Sequence, residues 1–201
     1  MSTVAYQPKA EEVKKLRELT EAPMMDCKKA LVEANGNLDE AKAALLKRGA
    51  AQAMKKEDRA ANEGLVASYI HAGGKIGVLV EVNSETDFVA RNPKFGDLTR
   101  DIAMHIAAMS PKYLERVSVP QDILAKVRED LLASVPPGKP ADVAQKIIEG
   151  KLNKWYEENV LLDQPFVKDD SLTVNDLINN AVGVLGEKIK VRRFTKFALG
   201  D

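Results

Sequence analysis

The chain has 201 residues, 45% of them hydrophobic, with 30 basic and 30 acidic side chains, a composition that allows a globular protein to bury a real core. Zero net charge recruits neither nucleic acid nor an anionic membrane, and no apolar run approaches the roughly 18 residues that cross a bilayer. Residues 1–8 lack the charged start and apolar centre of a secretory signal, and a single cysteine, Cys27, excludes an internal disulfide, so a reducing, cytoplasmic setting is expected.

Residues 1–50 read as a unit of three short helices. Val13, Leu16, Leu19 and Thr20 share one face of a first helix that begins near Lys9 and stops at Thr20. Pro23 suits the first turn of a second helix, where its missing N–H costs nothing. Cys27, Ala30, Leu31 and Ala34 form the apolar face of that helix, and Asn35-Gly36 ends it with residues that tolerate a left-handed backbone. Cys27 is read here as a small buried hydrophobe rather than a nucleophile. Asn37 with Glu40 resembles a capping box for a third helix, with Leu38, Ala41, Ala44 and Leu45 inward and a stop at Gly49. Met24 and Met25 are adjacent, so both cannot face inward. One is therefore exposed, either as spare core filling or as an adaptable contact surface.

Residues 51–63, rich in alanine and charge, are expected to be a helical linker, with Lys55-Lys56 on a solvated face. From Gly64 the pattern turns to strands. A run ending at His71, the turn Ala72-Gly73-Gly74-Lys75 and a second run from Ile76 to Asn83 predict a hairpin. In the second run Ile76, Val78, Val80 and Val82 recur at period two, the clearest strand signal in the chain. After Pro93, the residues Phe95, Leu98, Ile102, Ile106 and Met109 predict an amphipathic helix. A helix opened by Pro120 carries Ile123, Val127 and Leu131 and closes at Pro136-Pro137-Gly138. The next helix buries Ile147, Ile148, Leu152 and Trp155, and Asp163-Gln164-Pro165-Phe166 reads as a loop. Val174, Leu177, Ile178, Ala181, Val182 and Leu185 give a last helix ended by Gly186. The strand after it, residues 188–197, places Ile189 and Val191 on one face and Phe194 on the other, which requires a bulge or two-sided packing. The fold class is α+β: an N-terminal helical bundle (1–50), a linker (51–63) and a small antiparallel sheet packed with helices (64–201).

The stretch Asn83-Ser84-Glu85-Thr86-Asp87-Phe88-Val89-Ala90-Arg91-Asn92 joins the clearest strand to an amphipathic helix. Such a polar junction lies at the surface, where function usually sits. Phe88 is its odd member. Taken alone, the ring reads first as an anchor folded into the core, because a free Phe gains nothing from water; the alternative is a wedge offered to a partner. No catalytic constellation accompanies it. His71 and His105 have no cysteine or acidic cluster at ligand spacing, so no metal or cofactor site is expected. Gly138-Lys139 and Gly186-Glu187-Lys188 lack the spacing of a phosphate-cradling loop, so direct nucleotide binding is not expected. Lys188, Lys190, Arg192, Arg193 and Lys196 alternate along the last strand with few aromatics, a weak nucleic-acid signal. A binding module, rather than an enzyme, is the expectation.

Two motifs then carry a family resemblance. Thr20-Glu21-Ala22-Pro23-Met24-Met25-Asp26-Cys27-Lys28-Lys29-Ala30-Leu31 resembles the N-terminal signature of translation elongation factor Ts. Glu81-Val82-Asn83-Ser84-Glu85-Thr86-Asp87-Phe88-Val89-Ala90-Arg91-Asn92 is similar to the second signature of that family. Lys55-Lys56, Glu63-Gly64, Asp163-Gln164-Pro165-Phe166-Val167 and Arg193-Phe194 continue the match. One departure is Glu21-Ala22-Pro23, where the family usually has a glycine-bearing loop. Longer members carry a second, degenerate core copy, and Thr-Asp-Phe occurs once here.

The resemblance implies a guanine-nucleotide exchange factor that binds the GTPase elongation factor Tu and speeds GDP release. It implies a ubiquitin-associated-like docking bundle with Leu16, Arg17, Met24, Met25, Asp26 and Lys28 on or near the docking surface. Thr86, Asp87, Phe88 and Val89 would form the exchange element, with Asp87 and Phe88 near the magnesium and phosphate end of the partner's nucleotide site. That reverses the reading of Phe88 from core to wedge. Without the second core copy, one sheet face calls for cover by a second chain, so a homodimer is expected. The alternative is an RNA- or ribosome-associated structural protein using the basic last strand.

Overall fold

The computed structural model describes residues 6–136, 138 and 140–201, so Pro137 and Lys139 of the motifs above lie outside the described residues. The first three helices are α1 (Ala10–Thr20), α2 (Met24–Glu33) and α3 (Leu38–Lys55). Their inner faces meet in one core of Val13, Leu16, Ala22, Cys27, Ala30, Leu31, Ala34, Ala41 and Leu45. Burial pushes the Cys27 thiol up from its ordinary value, which fits an inert core residue. Local capping starts and stops these helices. The Lys9 N–H donates to Glu12 Oε2 at 2.7 Å, and Asn37 Oδ1 accepts from the N–H groups of Asp39 and Glu40 at 3.0 and 3.2 Å. Asn35 (φ 46°) and Gly36 (φ 84°) turn the chain after α2.

Three expectations for this region change. Leu19 leaves the core and stands 59% exposed, because the α1 face that meets α2 and α3 is centred on Val13 and Leu16. Helix α3 does not stop at Gly49 but runs to Lys55, carried by the strong helix formers Ala50, Ala51 and Ala53. The linker is therefore helical only to Lys55; turns follow to Arg59.

The sheet has the order β1-β2-β5 with β2 in the middle. Its strands are β1 (Glu63–Ile70), β2 (Ile76–Ser84) and β5 (Ile189–Ala198), running antiparallel. Between β2 and the helix α5 (Pro93–Met109) lies a single helical turn, α4 (Asp87–Ala90), which periodicity did not reveal. Helices α6 (Gln121–Ala133) and α7 (Ala141–Asn159) follow, then strands β3 (Pro165–Phe166) and β4 (Asp169–Thr173), then α8 (Val174–Leu185). The stretch read as a loop at 163–166 thus opens a two-stranded hairpin, β3 pairing antiparallel with β4. Along β5 Ile189 and Val191 are buried, and the alternation slips by one residue at Arg192-Arg193, the irregularity that Phe194 required.

Two compact units divide the chain. One holds the residues up to Ala67 with Glu81–Arg100 and Asp176–Arg192; the other holds Ser68–Val80, Asp101–Asn175 and Arg193–Asp201. In the second unit α6 and α7 share a core of Val119, Leu152, Tyr156 and Val160, with Tyr113, Leu124, Val127, Leu131 and Trp155 against it. Leu124 takes the inward place expected for Ile123, which is exposed. His105 on α5 is fully buried there. Its Nδ1 accepts the Val167 N–H at 3.2 Å, which puts the proton on Nε2, 3.0 Å from Gln164 Oε1. Burial lowers its pKa below the ordinary 6.5.

Candidate functional site

The first unit contains the whole of both signature motifs. Strand β2 ends on buried Asn83 and Ser84, and Asn83 Nδ2 donates to the Glu63 carbonyl at 3.1 Å, so the strand delivers the next residues rigidly. Ser84 Oγ donates to the Thr86 carbonyl at 2.9 Å. Helix α4 then places successive side chains about 100° apart, and the outcome is divided. Val89 and Ala90 are buried and anchor the turn, whereas Phe88 is 84% exposed. The core reading of Phe88 is overturned: Val89 and Ala90 together take the inner side of the turn, and the Phe88 ring stands outside it.

Thr86 is the N-cap of α4, yet no side chain caps the turn from within. Asp87 forms an ion pair with Arg91 at 2.9 Å, exposed on both sides. The ordering contacts come from far along the chain. Glu187 accepts the Thr86 N–H at 3.0 Å and the Thr86 hydroxyl at 2.6 Å. Glu85 returns the contact, accepting the Lys188 N–H at 2.6 Å, with Arg59 Nη1 at 3.2 Å on its other oxygen. The Lys188 N–H, first, and Arg59 hold the Glu85 carboxyl below its ordinary pKa. Lys56 Nζ donates to the Gly186 carbonyl at 2.6 Å, and Lys188 Nζ donates to the carbonyls of Glu57 and Arg59. Lys56 is therefore not on the purely solvated face expected of it.

The bundle presents the other motif. Met24 is 50% and Met25 62% exposed at the start of α2, so both adjacent methionines face water, with Leu19 nearby in sequence. Arg17 and Lys28 are exposed and Asp26 is partly so. Leu16 must be withdrawn from the docking surface: it is 0% exposed at the centre of the bundle core and can only support its neighbours. Glu21 takes φ 54°, a left-handed conformation that glycine adopts more easily, and its N–H reaches the Arg17 carbonyl at 2.7 Å. The loop that lacks glycine keeps a glycine-like backbone. Glu21 also pairs with Lys94 Nζ at 2.9 Å, which brings the loop before Met24 against the residues that follow Phe88.

The basic side chains of the last strand are largely engaged within the molecule. Lys188 is turned onto carbonyls as above, Arg192 pairs with Glu81 at 3.6 Å, and Lys196 Nζ reaches Ser110 Oγ. Among the described residues, no group of three or more His, Cys, Asp and Glu could hold a metal. In the second unit a cavity of about 270 Å³ is lined by Glu115, Arg116 and Asp163 among others, with Arg116 paired to Asp163 at 2.6 Å. His71, at the hairpin tip, lies 3.2 Å from the Tyr69 hydroxyl.

An exposed phenylalanine on a braced turn and a methionine pair on a small helical bundle are the two signature motifs in one unit. The family model described as Elongation factor TS matches residues 1–201. The chain belongs to the elongation factor Ts family. It is 55% identical to the elongation factor Ts of Koribacter versatilis, over 96% of this chain and 88% of that one. The elongation factor Ts of Moorella thermoacetica is 54% identical, covering 96% and 95%, and that of Geobacter sulfurreducens 53%, covering 96% and 89%. As a member of the elongation factor Ts family, the chain is a translation elongation factor. Among the described residues, no helix is long and apolar enough to cross a membrane.

Sequence reasoning singled out Phe88 and the methionines, which are exposed, but missed the contacts of Glu85, Glu187 and Lys94. Glu187 and Thr86 are 101 positions apart and Glu85 and Lys188 are 103 apart. No local period reports such pairs.

Proposed function

We propose that the chain is a cytoplasmic guanine-nucleotide exchange factor that binds the GTPase elongation factor Tu and promotes GDP release, without itself being an enzyme or binding nucleotide. The observation that carries this reading is the 84% exposure of Phe88 on a turn otherwise anchored by buried Val89. A free Phe ring gains nothing from water, so its exposure is explained by a partner that receives it. Exchange requires the factor to bind the nucleotide-free partner more tightly than the nucleotide-bound one. A Phe moving from water into an apolar slot gains about 1.5–3 kcal/mol, and each 1.4 kcal/mol is about tenfold. Phe88 can thus supply roughly one to two decades of coupling.

The remainder comes from docking. Arg17, Met24, Met25, Asp26 and Lys28 offer a mixed apolar and charged surface, and residues 1–50 act as the docking domain. Asp87 stands beside Phe88 in an exposed pair worth little, so it is released to the partner at small cost. Dimer formation through the open sheet face is part of the same reading. Ile70, Leu79 and Phe197 are exposed in the second unit, and Ile70 Cδ1 lies over Gly77, 3.1 Å from where a Cβ would stand. The test is release of labelled GDP from purified elongation factor Tu with and without the chain. Acceleration at substoichiometric amounts is expected; an unchanged release rate rejects the reading.

A further inference from the structure

Helix α4 has four residues and no side-chain cap, too little to hold its own geometry in water. Val89 and Ala90 fix its inner side only. Its entry is held by the turn between α8 and β5, through both oxygens of Glu187 on Thr86 and through the Lys188 N–H on Glu85. That turn is in turn tied to the end of α3 by Lys56 on the Gly186 carbonyl and by Lys188 on two carbonyls of residues 57 and 59. Three segments distant in sequence thus meet at the base of the wedge.

We infer that Glu187, with Glu85 as its reciprocal partner, is a positioning residue for exchange: it holds the Thr86–Val89 turn so that Phe88 projects in the competent direction. The inference rests on the exchange reading above and adds to it the residue that sets the wedge. The physical reason is population. A turn that samples several directions presents a competent Phe88 for only part of the time, and its effect falls by that fraction. Docking surfaces on α1 and α2 are untouched by the clamp, so the loss belongs to the release step rather than to encounter. Glu187 accepts both donors of Thr86 with its two oxygens, and the hydroxyl bond at 2.6 Å has the length of a charge-assisted one.

The experiment follows release of a fluorescent GDP analogue from elongation factor Tu across a range of full-length factor concentrations, giving a plateau rate and a half-saturating concentration. Glu187→Ala is expected to lower the plateau about tenfold while half-saturation changes by less than about threefold. Glu187→Gln, which keeps one acceptor oxygen, should fall between. In the Phe88→Ala background, Glu187→Ala should cause no further loss, since a residue acting through Phe88 has nothing left to position. A wild-type plateau in Glu187→Ala beside a slow Phe88→Ala overturns the clamp and leaves the wedge standing. Additive losses in the double variant also overturn it. A wild-type plateau in Phe88→Ala removes the wedge and the clamp together. Should Glu187→Ala fail to fold, Glu187→Gln carries the same comparison, and an undiminished plateau there overturns the proposal.

Discussion

Phe88 and His105 are opposite uses of a ring by one chain. Phe88 buries little of its ring within its own fold, being 84% exposed. Phe88→Ala should therefore leave the melting temperature unchanged, as surface changes alter stability by no more than about 0.5 kcal/mol. It should slow GDP release about tenfold or more, the transfer energy of the ring converted to a rate. A single thermal scan and a single exchange assay check both halves. His105 is buried with a bare Nδ1 accepting from Val167 and must stay neutral to do so. Its folded pKa lies below 6.5, so on acidification the unfolded chain takes the proton first. The stability from His105 is complete above 6.5 and is lost as pH falls from there through the folded value. The melting temperature should decline as pH falls below about 6.5, and less steeply in His105→Asn, whose amide oxygen can still accept from Val167.

Close approach of two helices turns on one residue without a side chain. Gly49 lies inside α3, where alanine would favour the helix by about 1 kcal/mol. A Cβ at Gly49, however, would stand 2.8 Å from the Asn179 carbonyl oxygen on α8, and backbone there cannot move aside cheaply. Across the contact, a Cβ on Gly183 would lie 3.5 Å from the Gly49 Cα. Packing outweighs propensity, so Gly49→Ala should destabilise. With a loss of about 1–3 kcal/mol, the expected fall is about 2–4 °C for each kcal/mol, read by calorimetry. A rise in melting temperature would show that α3 and α8 do not meet as closely as this. The same crossing means that α3 belongs both to the bundle core, through Ala41 and Leu45, and to the seat on α8.

Coverage of the sheet is a property of the whole molecule. Val78, Val80 and Val82 are buried on one face of β2, while Leu79 on the other is half exposed, with Ile70 and Phe197 exposed on the flanking strands. Burying that face against a second copy would remove the apolar surface from water and place two Phe88 wedges on one assembly. Sedimentation at micromolar concentration should give about twice the 22.0 kDa of the chain. A mass equal to the chain's own rejects the dimer, and Leu79→Lys should shift the mass toward that value.

Where a residue's environment is set by neighbours two to four positions away, the amino-acid sequence by itself was enough. The period of Cys27, Ala30, Leu31 and Ala34 specified α2, the alternation of Val78, Val80 and Val82 specified β2, and Asn37 marked the start of α3. The two signature motifs named the family for the same reason, being contiguous. Tertiary structure alone decided which of Leu16 and Leu19 is buried, because that depends on where α2 and α3 lie around α1. It alone decided that Gly49 is a contact rather than a stop, since Asn179 is 130 positions away. It also decided the direction of Phe88 and the bracing of its turn. Local sequence leaves a ring at a polar junction free to face inward or outward; here Val89 takes the inward place, and Glu187, 101 residues after Thr86, holds the turn that points Phe88 out.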